Sequence, residues 1–499
     1  MAAKGTAARF RSRSDNLRTT IGIIRKGTAA PSVSCGVLYH GGVIFSYAEG
    51  FTNIKESITA NGSTICLIAS NTKPFITALR GILVDDGVLS WEDPVSKYIS
   101  EFQTVHDPEV GKRTTLLDLC SHGTGLAPLG CVGVGFFDEF LGPGSSGVKK
   151  AANLPTAYDF RTHWLYNNFR LDVVGTVISS LCGKRSGLVM RERILEPLGM
   201  TRIFSRNDEY SDDRNKARGY SILNDAPPLF MDSPGLEDGS IQGASGYLRS
   251  TVQDMLVLAT AVMEVEEESP IPQHSNPLRQ VKMTRCAHRP IVLAENRYED
   301  SYGLGWFRHM LPSKYLSCRG PNFSLLPEPP LINQDGPPRL AIAHWRQFGA
   351  CLSAFYTFPE TRSAVIVMSN CNGANGDPAD LIAQALCQEL FSMWPRVNFE
   401  EYAIQAAHNA KLEWVRKRVD NTPCPPPEDF SGLYFYTVFD ITIRVAKTLD
   451  QSANTGTDTE LLSFNINSPP GKTVKLRHYH YTPGLSCQVR ETTRLARGW

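Results

Sequence analysis

Hydrophobic and polar positions alternate most clearly between Ser32 and Phe51, where β-rich runs on either side of Gly41-Gly42 predict a hairpin. The period then changes. Ile65-Cys66-Leu67-Ile68-Ala69 reads as a short strand, and Phe75 to Leu83 carries the apolar spacing of a helix. Helical patterns recur at Thr115 to Cys120, Leu171 to Leu181, Met190 to Leu198 and Asp254 to Val265, with stops at His122-Gly123-Thr124-Gly125, Gly183 and Gly199. The Gly/Ser/Pro-rich stretch from Gly130 to Gly147 predicts a long loop or lid, and Pro270 to Pro290 a proline-punctuated connector. Strand patterns return at Ala341 to Ala343, Leu352 to Phe358 and Ala364 to Met368, followed by a helix from Leu381 to Trp394. Strands, then helices, then strands predict an α/β sandwich of the α+β kind. One antiparallel sheet is flanked by helices, with a helical subdomain in the centre and a site between sheet and helices.

Beyond Pro395 the pattern shifts to a charged helix (Glu400 to Val419), a breaker at Pro423-Cys424-Pro425-Pro426-Pro427, and alternating runs such as Phe439 to Val445. Three parts follow: a flexible basic N-terminal tail and first helix (1–29), a main domain (30–395), and a linker helix with a small β-barrel-like domain (396–499). At 499 residues and 42% hydrophobic content the chain can bury a large core. Lys plus Arg number 51 against 50 for Asp plus Glu, so charge gives no reason to expect nucleic acid or an anionic membrane as partner; small neutral substrates fit better. The 12 cysteines are scattered, without C-x-x-C pairs or zinc-ligand spacing, and predict buried reduced thiols with no metal and no cofactor. Lys4, Arg9, Arg11 and Arg13 precede the first acid, Asp15, without the apolar core of a secretory signal. A cytoplasmic protein with a basic tail is the simpler reading, and a mitochondrial transit peptide the alternative. No apolar run approaches the roughly 18 residues of a membrane span. Oligomeric state is left open.

The chemistry concentrates at Ser70-Asn71-Thr72-Lys73, between the short strand and the helix. A serine hydroxyl is a poor nucleophile at neutral pH, and a lysine one helical turn away can take its proton. Ser146-Gly147-Val148-Lys149 has the same spacing but lies in the glycine-rich loop. Tyr166-Asn167-Asn168 adds a tyrosine and an asparagine two apart, able to face one cleft from an extended segment. With these stretches, and with Glu196-Pro197-Leu198-Gly199-Met200-Thr201, Gly243 to Thr251 and Tyr302-Gly303-Leu304-Gly305-Trp306 in the same order, the chain resembles the serine β-lactamase and penicillin-binding-protein superfamily. It is nearest the branch of class C β-lactamases, esterases and lovastatin-acyltransferase-like enzymes, over about residues 30–395. The resemblance implies that Ser70 attacks an acyl carbonyl and that Lys73 and Tyr166 share the general-base work. Asn168 would hydrogen-bond the substrate or steady Lys73. Phe430 to Phe435 resembles, over a short stretch, a lipocalin-like module appended to some relatives.

One motif departs from the family. Where relatives carry Lys-Thr-Gly or His-x-Gly on the strand bordering the cleft, this chain reads Ala343-His344-Trp345-Arg346-Gln347-Phe348-Gly349. The resemblance then gives His344 the Lys/His position, puts Arg346 where glycine lets substrate backbone approach, and makes the Gln347 N–H an oxyanion donor beside that of Ser70. Arg346 could instead bind a carboxylate or polarise a carbonyl. This departure argues against β-lactam or peptidoglycan chemistry. His122 is read as part of a structural turn rather than a triad, and Asp118 and Asp172 as helix-surface or capping groups. The expected function is serine-dependent acyl transfer, as esterase or transesterase, on a small secondary metabolite. The alternative is a lyase, isomerase or cyclase using Lys73 and Tyr166 as acid and base in the same cleft.

Overall fold

In the computed structural model the described residues are 2–134, 140–222, 227–231, 235–266, 276–291, 300–314, 316, 320–417, 428, 430–439, 441–450, 459–467, 474–477 and 488–489. The predicted breaker at 423–427, lid residues 135–139 and connector residues 270–275 fall outside them.

A nine-stranded antiparallel sheet forms the frame. Its strands are β1 (Ser32–Tyr39), β2 (Gly42–Asn53), β3 (Ile58–Thr59), β4 (Arg289–Ile291), β5 (Asp300–Tyr302), β6 (Phe307–Leu311), β7 (Arg339–Phe348), β8 (Cys351–Phe358) and β9 (Ser363–Ser369). They lie in the order β3-β2-β1-β9-β8-β7-β6-β5-β4, so the hairpin read at Gly41-Gly42 pairs with the last strand of the sheet. Strand β9 is buried along its whole length because both faces are covered. Ala364, Ile366 and Met368 pack toward α3 (Lys73–Asp85) and α5 (Val252–Glu266). Val365 and Val367 pack toward α2 (Ser14–Gly27) and α6 (Pro378–Phe391). The remaining long helices are α1 (Ala2–Ser12), α4 (Asn168–Cys182) in the central helical subdomain, and α7 (Phe399–Lys417).

The N-terminal segment, expected as a flexible tail and a first helix, has two helices. It folds as α1 and α2 with Phe10, Leu17, Ile21 and Ile24 buried, the last three at helical spacing. Its basic side chains find acids on the body of the fold: Arg13 pairs with Glu389 and Arg25 with Glu49. Apolar spacing thus decides the conformation, and the charges occupy the rim.

The C-terminal strands, β10 (Gly432–Tyr436), β11 (Ile441–Asp450), β12 (Thr459–Ile466), β13 (Val474–Arg477) and β14 (Gln488–Val489), make an open five-stranded meander. Closure into the expected barrel-like form needs β10 to pair with β14, and no such pair occurs among the described residues. On the main domain Leu141 packs against Phe464 and Ile466 of this sheet, and the buried Lys150 ammonium donates to the carbonyls of Val132 and Phe439. No helix among the described residues is long and apolar enough to cross a membrane.

Candidate active site

Local sequence fixes the serine. After the two-residue strand Cys66–Leu67, Ile68 donates its N–H to Leu248 O at 2.9 Å, and Ala69 is forced to φ +25° before a 3₁₀ turn over Ala69–Thr72. A non-glycine residue in that region is strained, and its neighbours hold it there. The Asn71 amide donates to Ser353 Oγ at 2.8 Å, tying the turn to β8, and Thr72 Oγ1 accepts from Leu248 N–H at 3.1 Å. Ser70 is left half-exposed at the mouth of a small cleft, while Lys73 opens α3 fully buried. Gly305, at φ +77°, leaves room for this first turn: a Cβ there would lie 2.9 Å from the Lys73 carbonyl.

The Lys73 amine is the hub. Its Nζ is 3.0 Å from Ser70 Oγ, 2.9 Å from Asn168 Oδ1 and 2.9 Å from the Ser245 carbonyl oxygen, and 4.8 Å from the centroid of the Tyr166 ring. As an ammonium it donates to all three oxygens. As a neutral amine it can donate to Asn168 and Ser245, which turns its lone pair toward the Ser70 hydroxyl. The same contacts therefore suit a proton acceptor and the acid it becomes.

Asn167 and Asn168 divide their work. Asn167 caps α4, its side chain accepting from Phe169 N–H at 2.9 Å, while Asn168 faces Lys73 and the cleft. Tyr166 lies among rings, 4.6 Å from His122, 6.1 Å from His344 and 6.2 Å from Phe307 between centroids. His122, at φ +58°, is buried and takes the Asn167 N–H on Nδ1 at 3.4 Å, as suits a turn that braces Tyr166.

His344 stands behind Tyr166 and is not part of the cleft lining. Its Nδ1 lies 2.9 Å from the Trp345 carbonyl. Burial first, and the Lys73 charge second, hold its imidazole well below the usual histidine range. An unfolded imidazole takes up a proton as pH falls through about 6.5 whereas the folded one stays neutral, so the fold loses stability in that direction, at most about 1.4 kcal/mol per pH unit. Replacing His344 with glutamine removes this term. Thermal melts between pH 8 and pH 5 should show the wild type losing ground to the variant on the acid side only; a pH-independent gap between them would contradict it.

Arg346 and Gln347 are placed by backbone on β7 opposite Ser353 and Leu352, and their side chains lie outside the described residues. Backbone at 346 is ordinary strand, so this position makes no conformational demand for glycine. The cleft holds a cavity of about 30 Å³ with a mixed lining, in which Ala69, Val134, Leu236 and Phe348 are apolar and Ser70, Asn168 and Gln242 polar.

The other candidates separate cleanly. Ser146 Oγ donates to Pro143 O at 2.7 Å and Lys149 is exposed, so the second serine–lysine spacing builds no comparable pair. Asp118 does cap its helix through Thr115, but it is fully buried rather than on the surface and binds Arg161 and Arg289 at 2.8 and 3.0 Å. Asp172 is also buried, on the helix whose Gly175 lies against the turn that supplies the Ser245 carbonyl. The Ser245 carbonyl is not evident as a site group from residue type, since every residue has one.

The chain is similar to several known proteins. An unguisins hydrolase from Aspergillus campestris is 25% identical over 249 residues, covering 49% of this chain and 45% of that protein. Esterase EstB from Burkholderia gladioli is 25% identical over 175 residues, covering 33% and 44%. The matches thus span less than half the length of these relatives. The octameric penicillin-binding protein homologue from Pyrococcus abyssi superposes with a TM-score of 0.61 at 18% identity, covering 94% of this chain and 96% of that one, and shares the fold. Residues 20–389 match the family described as Beta-lactamase, and with the match extending over most of the sequence, the chain belongs to that family.

Proposed function

We propose that this protein is a serine-dependent acyl-transfer enzyme, an esterase or transesterase, that acts on a small metabolite through an acyl-enzyme on Ser70. The observation that carries the reading is the Lys73 amine at 3.0 Å from Ser70 Oγ, with Asn168 and the Ser245 carbonyl fixing its other directions. Membership of a family whose relatives include proteins named as a hydrolase and an esterase supports it.

Lys73 removes the Ser70 proton as Oγ attacks the substrate carbonyl. The tetrahedral oxyanion faces the backbone N–H groups of Ser70 and Gln347. Its collapse breaks the bond to the leaving group, which takes a proton from Lys73 or through Tyr166, whose ring lies against the same amine. Water or an alcohol then attacks the acyl-enzyme, giving up its proton to the same base, and Ser70 is released with its hydroxyl restored. The mixed lining, with Val134, Leu236 and Phe348 beside Asn168 and Gln242, suits a small acyl group, and the chain's near-neutral charge suits an uncharged substrate.

Incubation with p-nitrophenyl acetate, followed by rapid acid quench and peptide mass analysis, tests the reading. An added acetyl group should appear on the peptide that contains Ser70. Turnover with no acyl adduct on that peptide at any quench time would count decisively against the covalent route.

A further inference from the structure

Gln242 lines the cleft from a backbone conformation that does not suit its residue type. It stands at φ +56°, in the left-handed region where a residue with a Cβ is strained and glycine is not. Strain of that kind persists only where the surroundings enforce it. The side chain is therefore the part to explain.

Two loop segments border the cleft here. One, residues 129–134, ends in Val134; the other, residues 236–246, carries Leu236, Gln242, Ser245 and Gly246, and all five of these residues line the cavity. Each segment has bonds of its own. In the first, Val132 N–H donates to Leu129 O and Gly133 N–H to Gly130 O, while Leu141 N–H reaches Gly133 O and the Lys150 ammonium reaches Val132 O. In the second, Gly243 N–H donates to Ser240 O, Ser245 N–H to Gln242 O and Gly246 N–H to Gly243 O. These bonds shape each segment, and none of them joins one to the other. The Gln242 side chain does, its Nε2 donating to Gly130 O at 3.0 Å. Because the acceptor is a carbonyl oxygen, the amide nitrogen and not its oxygen must face it. Gly133 completes the fit: a Cβ there would lie 2.6 Å from Gln242 Nε2 and 3.0 Å from Ile241 Cγ2, so the segments approach as closely as bare backbone permits.

We propose that Gln242 is a specificity-determining residue, a cross-tie that sets the separation of Val134 from the Leu236–Gly246 wall and with it the size of acyl group that Ser70 accepts. Gly130 O also accepts the Gly133 N–H at 3.0 Å, so cutting the tie leaves that carbonyl paired, and the 129–134 segment can move off without exposing a lone buried acceptor. The width of the cleft then depends on one side-chain bond.

The proposal rests on the acyl-transfer reading for its kinetic consequence and on geometry alone for its structural one, so the test has both arms. Two variants cut the tie in different ways. Gln242→Gly removes the side chain and relieves the left-handed backbone, so the protein should still fold. Gln242→Met keeps a long unbranched side chain of similar size but cannot donate. With p-nitrophenyl acetate, butyrate, hexanoate and octanoate, wild-type kcat/KM should fall steeply as the chain lengthens. In both variants the ratio of kcat/KM for hexanoate to that for acetate should rise about 10- to 100-fold, the scale on which a pocket discriminates small differences in apolar size. Loss of folding would depress all four esters together and leave the ratio where it was. A shift in the glycine variant alone would mean that missing volume, not the tie, admits the longer chain, and would overturn the proposal; so would a wild type that takes all four chains equally. A wild type that never acylates Ser70 with any of the esters would defeat the acyl-transfer reading instead, and crystal structures would then decide. Val134 displaced from Leu236 in both variants supports the cross-tie, and an unchanged separation overturns it.

Discussion

Replacing Ser70 with alanine should reduce ester turnover by roughly 10⁴-fold or more, as removal of a nucleophile does when only binding and oxyanion contacts remain. The fold should survive. Ser70 is half-exposed at the cleft mouth, and the turn around it is fixed by Asn71, Thr72 and the Ile68–Leu248 backbone bond, none of which uses the Ser70 side chain. Thermal stability should therefore stay within about 1 kcal/mol of wild type while the burst of acylation disappears. The result that would sink the covalent route is a variant that turns over its substrate at full rate. Lys73 and Tyr166 would then be working as acid and base without an acyl intermediate, the chemistry of a lyase or isomerase in the same cleft. Comparison with Tyr166→Phe sharpens the distinction, because a non-covalent route leans on the tyrosine hydroxyl more heavily than on Ser70.

The two ends of the central constellation were unequally legible in the sequence. Ser70 and Lys73 carry functional groups whose spacing on a first helical turn is itself a chemical statement, and the structure places them 3.0 Å apart. Asn168 was legible with them, although separating it from Asn167 needed the backbone, since only one of two adjacent asparagines can cap the helix. The Ser245 carbonyl was not legible, because every residue has a carbonyl and only the turn's path says which one reaches the amine. The burial of Asp172 was hidden for a related reason: an aspartate near a helix start usually caps or faces water, and here the close approach allowed by Gly147 and Gly175 buries it. The N-terminal helices were masked by their arginines, whose partners Glu49 and Glu389 lie far along the chain.

The rings around Tyr166 make a similar point about long-range packing. Trp164, Tyr302, Phe307 and Trp345 come from separate segments and meet in one cluster against it. Each alone reads as an ordinary core residue. Together they give the tyrosine beside the buried Lys73 a packed back wall, which would hold it in place for the proton transfer proposed above.

Lys73→Met is the sharper test of that wiring, with an expected loss of about 10³- to 10⁴-fold in acylation, near the upper range for removing a general base. Methionine fills most of the buried volume and cannot accept a proton, so Ser70 keeps its hydroxyl but loses the base 3.0 Å away. Lys73→Arg should fare no better: a guanidinium stays protonated at any working pH, and its planar fork cannot point a lone pair at Ser70 while donating to Asn168 and Ser245. The two variants differ in stability, however. Methionine leaves the Asn168 amide oxygen and the Ser245 carbonyl without their shared donor, whereas arginine keeps a cation in the site but must fit a larger head beneath the Tyr166 ring. Single-turnover acylation followed by melting curves separates these effects. If either variant kept acylation within tenfold of wild type, Lys73 would have to be reassigned from base to scaffold, and Tyr166 would become the group to test next.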